Sequence, residues 1–175
     1  MRTRSLLLAA LVAALLLTLA AVPAGAAGPG TPMTWGSNSF GELGNGTTNR
    51  FSAGPVTGLA DATELAGGRE HVIALRADGS VWTWGSNQYG QQGNGSTVNR
   101  LAPGPVAGLA GAVQVAAGRY HGMALLGDGT VWAWGRNNLG QLGDGTTTRR
   151  TSPVPVPGLT GVETVTAGRA YSAAL

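Results

Sequence analysis

The sequence predicts an all-β chain of consecutive small antiparallel sheets, and three observations predict it. One segment recurs three times at a spacing of about 50 residues, each copy carries short strand signals separated by glycine-rich turns, and beyond the first 26 residues no capped helical periodicity occurs. Roughly fifty residues per small sheet, repeated strictly, is the pattern of β-propeller blades. A linear β-solenoid is the competing architecture, but its coils are usually much shorter.

The chain opens on a segment of another kind. Arg2 and Arg4 precede an apolar run from Leu6 to Val22, broken only by Thr18, and Pro23-Ala24-Gly25-Ala26 then offers the small residues a signal peptidase accepts. Residues 1–26 therefore read as a Sec-type signal peptide, and the protein is expected to be secreted, with no stable membrane span after cleavage. A retained anchor is the alternative, since the run stands at the lower end of the spanning range of roughly 17–25 residues. No cysteine is present to be acylated, and Thr3 separates the two arginines of a would-be twin-arginine signal. Residues 27–175 then form the repeat region, long enough for one modest core but not for two domains. Without cysteine, packing must carry its stability.

The isoelectric point of about 10.2 invites a nucleic-acid reading. Removing the signal leaves 9 arginines against 8 acids, however, so the high value reflects arginine's basicity and not a charge excess. The clustered basic footprint of a nucleic-acid binder is missing.

The repeats come next. "TWGSNSFGELGNGTTNR" (34–50), "TWGSNQYGQQGNGSTVNR" (83–100) and "AWGRNNLGQLGDGTTTRR" (133–150) are copies of one segment, and "GLADATELAGGREHVIAL" (58–75), "GLAGAVQVAAGRYHGMAL" (108–125) and "GLTGVETVTAGRAYSAAL" (158–175) are copies of another. The units run approximately 33–81, 82–131 and 132–175. "HVIALRADGSVWTWG" reads as a hairpin about Asp78-Gly79, and Asp128-Gly129 repeats it. Aspartate-glycine predicts a two-residue turn with positive φ at both positions. Trp82 and Trp84 then share one strand face, with Val81 and Thr83 on the other. "ATELA", "AVQVA" and "VETVT" give a further strand per unit. The segment after each Trp-Gly is expected to be an ordered loop leading to a short extended piece around Val56, Val106 or Val156.

The motifs that carry chemistry are few. A phosphate loop needs a helix N-terminus after its glycines, but "GQQGNG" is followed by "STVNRLAPGPV", so Gly41, Gly44, Gly46 and their counterparts read as turn requirements. His71 and His121 occupy the position of Tyr171 in the third copy, which favours a buried hydrogen-bonding role over a metal or catalytic one. No Gly-x-Ser-x-Gly and no carboxylate pair is present. Asn45-Gly46-Thr47 and Asn94-Gly95-Ser96 match the glycosylation sequon, yet Asp144-Gly145-Thr146 in the third copy favours turn chemistry. Asp78 and Asp128 lack the second carboxylate a calcium loop needs. No catalytic residue, cofactor or metal is assigned. The candidate binding residues are Arg69, Arg119 and Arg169, which recur at one repeat position, with the variable neighbours Glu70 and Tyr120. A constant scaffold with changing residues at one place is how a repeat protein presents a recognition face. The alternative is that these arginines brace one blade against the next. Gln88 and Tyr89, which differ between loop copies, are further contact candidates.

The succession Trp-Gly-x-Asn-x-x-Gly-x-x-Gly-x-Gly, Ala-Gly-x-x-His-x-x-Ala-Leu and Asp-Gly-x-Val-Trp resembles the regulator of chromosome condensation repeat, over about residues 33–175. The resemblance implies a β-propeller, typically seven-bladed. Only three units are present, so an incomplete or purely structural propeller piece is one reading. Self-association is another, because the strand Met33 to Trp35 matches the one that would follow Leu175, and two chains would give six blades. The name-giving member is a nuclear nucleotide-exchange factor for a small GTPase. That activity is not carried over, because no hairpin insertion interrupts the even spacing and a signal peptide separates the chain from a cytosolic GTPase. Secreted bacterial propellers, some of which inhibit β-lactamase by binding it with one face, are the nearer analogy. The expectation is an exported, non-enzymatic repeat protein that binds another protein through one propeller face, with a propeller lyase or hydrolase the remaining alternative.

Overall fold

In a computed structural model, residues 30–47 and 49–175 are described, so the signal peptide assigned to 1–26 lies outside the described residues. Twelve strands form among them: β1 Met33–Gly36, β2 Arg50–Pro55, β3 Ala62–Gly67, β4 His71–Arg76, β5 Val81–Gly85, β6 Arg100–Pro105, β7 Ala112–Ala117, β8 His121–Leu126, β9 Val131–Gly135, β10 Arg150–Pro155, β11 Val165–Ala167 and β12 Ser172–Ala174. They build two complete antiparallel sheets, in the orders β3-β4-β5-β6 and β7-β8-β9-β10, flanked by the two-stranded sheets β1-β2 and β11-β12. Each complete sheet takes its first two strands from the end of one sequence unit and its last two from the start of the next. The sheet is thus offset by half a unit from the sequence repeat.

Strand alternation here buries both faces, because the sheets stack on one another. Ile73, Leu75 and Val81 face forward and pack against Val115, Ala124 and Trp134 of the next sheet. Ala74 and Trp84 face backward onto Val56 and Leu59. Met123, Leu125, Val131 and Ala133 repeat the forward contact, onto Val165, with Leu142 of the β9–β10 loop in the same layer. The core is therefore a series of inter-sheet layers. Strand β7 lies against β3 and β4 on one side and β11 on the other, which places the first strand of each sheet on the inner edge of the arc. Along that edge the Glu64 carboxylate accepts the Val115 N–H at 3.0 Å, and the Gln114 side chain accepts the Val165 N–H at 2.8 Å.

Two expectations are corrected by the geometry. The Asp-Gly hairpins have three-residue loops: Gly79 N–H donates to Arg76 O at 2.9 Å, Arg76 N–H to Ser80 O at 3.0 Å, and only Gly79 has a positive φ, of 77°. Asp78 keeps negative φ because its carboxylate is engaged, accepting from Ser80 N and Oγ at 2.9 and 2.6 Å. A type I turn followed by a left-handed glycine satisfies both constraints. The extended pieces are β2, β6 and β10, which end just before Val56, Val106 and Val156 and contain prolines. Proline is tolerated there because these are the outer strands, where a missing N–H breaks no ladder. The third inner strand also begins at Val165, later than "VETVT" predicts.

Candidate functional site

The turn entering the second strand of each sheet builds the candidate face. In Gly68–Arg69–Glu70–His71, Gly68 N–H donates to His71 O at 2.8 Å, and the same bond closes Gly118–His121 at 3.0 Å and Gly168–Tyr171 at 2.9 Å. Each glycine is required by the ring that lies across it. A Cβ on Gly68 would stand 2.1 Å from His71 Cε1, one on Gly118 2.0 Å from His121 Cε1, and one on Gly168 2.3 Å from Tyr171 Cε1. The corner is thus locked, and the arginine after the glycine is held outward. Arg69, Arg119 and Arg169, with their flanking glycines and alanines, line one concave space of about 670 Å³ at the inner edge.

The structure separates the five sequence candidates. Glu70 pairs with Arg69 Nε at 3.2 Å, so it neutralises a neighbour. Tyr120 is 8% exposed and is no protruding anchor. Its hydroxyl accepts from Arg69 Nη1 at 2.5 Å, its ring lies 4.9 Å from that of Tyr89, and Arg119 and Arg136 stand 5.0 and 5.6 Å from its centroid. This cluster joins neighbouring sheets, so for Arg69 the bracing role holds. Arg119 and Arg169, by contrast, have no carboxylate partner among the described residues. Arg136 shares that condition and is not among the sequence candidates. Its signal is a departure from the repeat, since Ser37 and Ser86 occupy the equivalent positions. With Asn138, Leu139, Gln141, Tyr120 and Ala170, these three arginines surround a second pocket of about 310 Å³. Of the two loop candidates, Gln88 is exposed and its carbonyl accepts from Arg149 at 3.4 Å, while Tyr89 belongs to the tyrosine cluster.

The glycine loops are filled by their own asparagine. Asn87 is fully buried; its Oδ1 accepts the Gln92 N–H at 3.0 Å, and its Nδ2 donates to Asn94 Oδ1, Ser96 O and Val98 O at 3.1, 3.1 and 3.0 Å. Asn137 repeats the arrangement with Leu142, Asp144, Thr146 and Thr148. Asn94, the sequon residue, also accepts from Ser96 N and Oγ, which is turn chemistry. Asp144 is held down at about 2 despite some desolvation, by hydrogen bonds from Arg150, Thr146 and Asn137.

Both histidines are buried, and burial lowers each to about 4, with the neighbouring His121 adding to the effect on His71. Among the described residues neither nitrogen of His71 makes a hydrogen bond of good geometry, the nearest being a weak one with the His121 backbone, whereas His121 Nε2 contacts Ser172 Oγ at 3.1 Å. Among the described residues no group of three His, Cys, Asp or Glu is placed to hold a metal. A histidine lowered in the folded state stabilises the fold fully above about pH 6.5 and loses that contribution as pH falls toward 4. Urea unfolding is expected to show a loss of about 3 kcal/mol per histidine across that window. His71→Tyr, which copies the third repeat's Tyr171 over Gly168, is expected to remove roughly half of the drop.

Models of the regulator of chromosome condensation (RCC1) repeat match residues 78–125 and 128–175, and a second model of the same repeat matches 62–91 and 112–141. No curated protein matches the chain. Solved structures do. Yeast RCC1 (Prp20), in a crystal structure bound to Kap60, superposes with a TM-score of 0.72 at 25% identity over 83% of this chain and 37% of its own. Human WBSCR16 gives 0.72 at 24% identity over 82% of this chain and 39% of its own, a likeness of fold. Prp20p from Saccharomyces cerevisiae, in a structure described together with its binding to Gsp1p and histones, gives 0.67 at 25% identity over 83% and 39%. The chain therefore spans well under half the length of these propellers.

Proposed function

Because the chain belongs to the regulator of chromosome condensation (RCC1) repeat family, we propose that it is a non-catalytic binding protein that grips acidic groups of a protein partner at its arginine-bearing face. The observation that carries this reading is the pocket bounded by Arg119, Arg136 and Arg169, three guanidinium groups without a carboxylate partner among the described residues. Guanidinium forks match carboxylates in charge and shape, and partial burial strengthens the pairing. Tyr120 and Tyr89 hold two of the three, Arg119 and Arg136, by cation–π contact, with Arg119 5.0 Å from the Tyr120 ring and Arg136 4.9 Å from the Tyr89 ring. Arg69 lies outside this pocket, on the neighbouring concave space, and is paired with Glu70. Protein binding is also what is described for relatives, yeast RCC1 with Kap60 and Prp20p with Gsp1p and histones. The partner of this chain would be met outside the cell, following from the signal peptide read in residues 1–26.

The test uses an acidic peptide, oligoglutamate, as a probe, and then the partner recovered with the purified protein. Arg119→Ala with Arg136→Ala is expected to weaken both by at least about tenfold, with wild-type affinity falling as salt rises. Arg50→Ala, on the outer strand, is expected to leave binding unchanged. Equal affinity of the double variant and the wild type would refute the assignment.

A further inference from the structure

The pocket beside Ala170 repeats a setting that the chain fills with its own side chain one repeat earlier. In that earlier copy Tyr120, on the turn between β7 and β8, leans onto the loop after β5. Its ring lies 4.9 Å from that of Tyr89, and its hydroxyl accepts from Arg69 Nη1 at 2.5 Å. Arg119, on the same turn as Tyr120, stands 5.0 Å from the ring centroid. The phenol is thus held by a loop residue, by the arginine of the sheet before it and by the arginine of its own turn.

The next repeat keeps this frame and omits the ring. Position by position, Leu139 stands for Tyr89, Arg119 for Arg69, Arg169 for Arg119 and Ala170 for Tyr120. The loops are closed alike, Tyr89 N–H donating to Gln91 Oε1 and Leu139 N–H to Gln141 Oε1, each at 2.9 Å. The turns are closed alike as well, by Gly118 N–H to His121 O at 3.0 Å and by Gly168 N–H to Tyr171 O at 2.9 Å. Matching loops and turns direct the Cβ of Ala170 as they direct that of Tyr120. The side chain of Ala170 stops at that atom, and the space of about 310 Å³ before it is walled by Arg119, Arg136, Leu139, Gln141 and Arg169. The space is the product of a substitution within the repeat, and all its walls lie between residues 119 and 170.

A carboxylate alone would meet the guanidinium groups and leave Leu139 and Ala170 without an apolar partner. A phenol satisfies both parts of the lining, because it joins an apolar ring to a polar tip. Building on the acid-gripping face argued above, we infer that the protein partner inserts a tyrosine side chain beside Ala170, flanked in its own sequence by acidic residues. The guest ring occupies the place that Tyr120 occupies one repeat earlier. It packs on Leu139, its hydroxyl accepts from Arg119, and its face meets Arg169 as the ring of Tyr120 meets Arg119. Arg136 is left to pair with a neighbouring carboxylate of the partner. Tyrosine suits such a seat because it fills a large space while giving up few rotamers.

Isothermal titration calorimetry of the purified protein with three end-blocked peptides, Glu-Glu-Tyr-Glu-Glu, Glu-Glu-Phe-Glu-Glu and Glu-Glu-Ala-Glu-Glu, tests this. The tyrosine peptide is expected to bind about tenfold more tightly than the alanine peptide, with the phenylalanine peptide between them. Ala170→Tyr fills the seat with the chain's own ring, as in the preceding repeat. It is expected to erase the preference, so that the tyrosine and alanine peptides bind within about twofold of each other. Arg119→Ala is expected to bring the tyrosine and phenylalanine peptides together, since the hydroxyl loses its donor. Equal affinity of the wild type for the tyrosine and alanine peptides, both weakened by Arg119→Ala with Arg136→Ala, would overturn the inference and leave the acid-gripping face standing. A tyrosine preference that survives Ala170→Tyr would overturn it too, and no binding of any of the three peptides would overturn both.

Discussion

Trp134→Ala is expected to lower the unfolding free energy by about 4–5 kcal/mol, near the upper end for a buried aromatic. The side chain is fully buried, lies in the layer that joins the two complete sheets, and donates its indole N–H to Gln91 O at 2.9 Å. Its removal opens a cavity that cannot easily collapse, because Gly93 and Gly122 approach the ring with backbone. A Cβ on Gly122 would stand 2.6 Å from Trp134 Cε2. Trp134→Phe retains most of the ring and loses the donor, so a loss of about 2 kcal/mol is expected. Chemical denaturation measures both. Because the core is a series of layers, the alanine variant is also expected to unfold in two transitions where the wild type shows one. A single transition with a loss under about 1 kcal/mol would contradict this description of the layer.

Asn87→Ala is expected to cost about 3–4 kcal/mol, although the residue sits in a loop and touches little apolar surface. Its amide is the centre of the segment, so truncation strands the Gln92 N–H and the acceptors at Asn94, Ser96 and Val98 in a buried place. Asn87→Asp retains the Oδ1 acceptor but turns a carboxylate toward three acceptors, and is expected to be about as damaging. Gln88→Ala, one residue along and exposed, is expected to fall within about 0.5 kcal/mol of wild type. Thermal unfolding of the three variants separates a loop held by its own amide from one that is merely glycine-rich.

Much of this architecture is legible in the sequence because period and alternation are long-range signals that three copies reinforce. The Trp-x-Trp strand and the Ala-Leu strand follow from strand geometry. The prolines of "RLAPGP" conceal β6, since only its place on the outer edge makes them acceptable. The turn at Asp78 departs from expectation because the dipeptide does not reveal that Ser80 recruits the carboxylate and keeps φ negative. At the candidate face, the arginines after each Ala/Gly-Gly step stand out by their recurrence. Their separation into Arg69, which braces Tyr120, and Arg119 and Arg169, which meet no carboxylate among the described residues, depends on contacts about 50 residues apart in sequence. Arg136 escapes a reading by repeats because a residue present in one copy leaves no periodic trace.

The half-unit offset between sheet and sequence repeat makes copy number a free variable. Each complete sheet is assembled from the tail of one unit and the head of the next, so every unit shares one sheet with the unit before it and one with the unit after it. Splicing in or deleting one unit of about 50 residues, at any equivalent point, adds or removes one sheet. Tandem duplication can therefore change the size of such a protein by one sheet at a time, with only the residues that differ between copies, such as Tyr120 and Arg136, to be matched at the new joint.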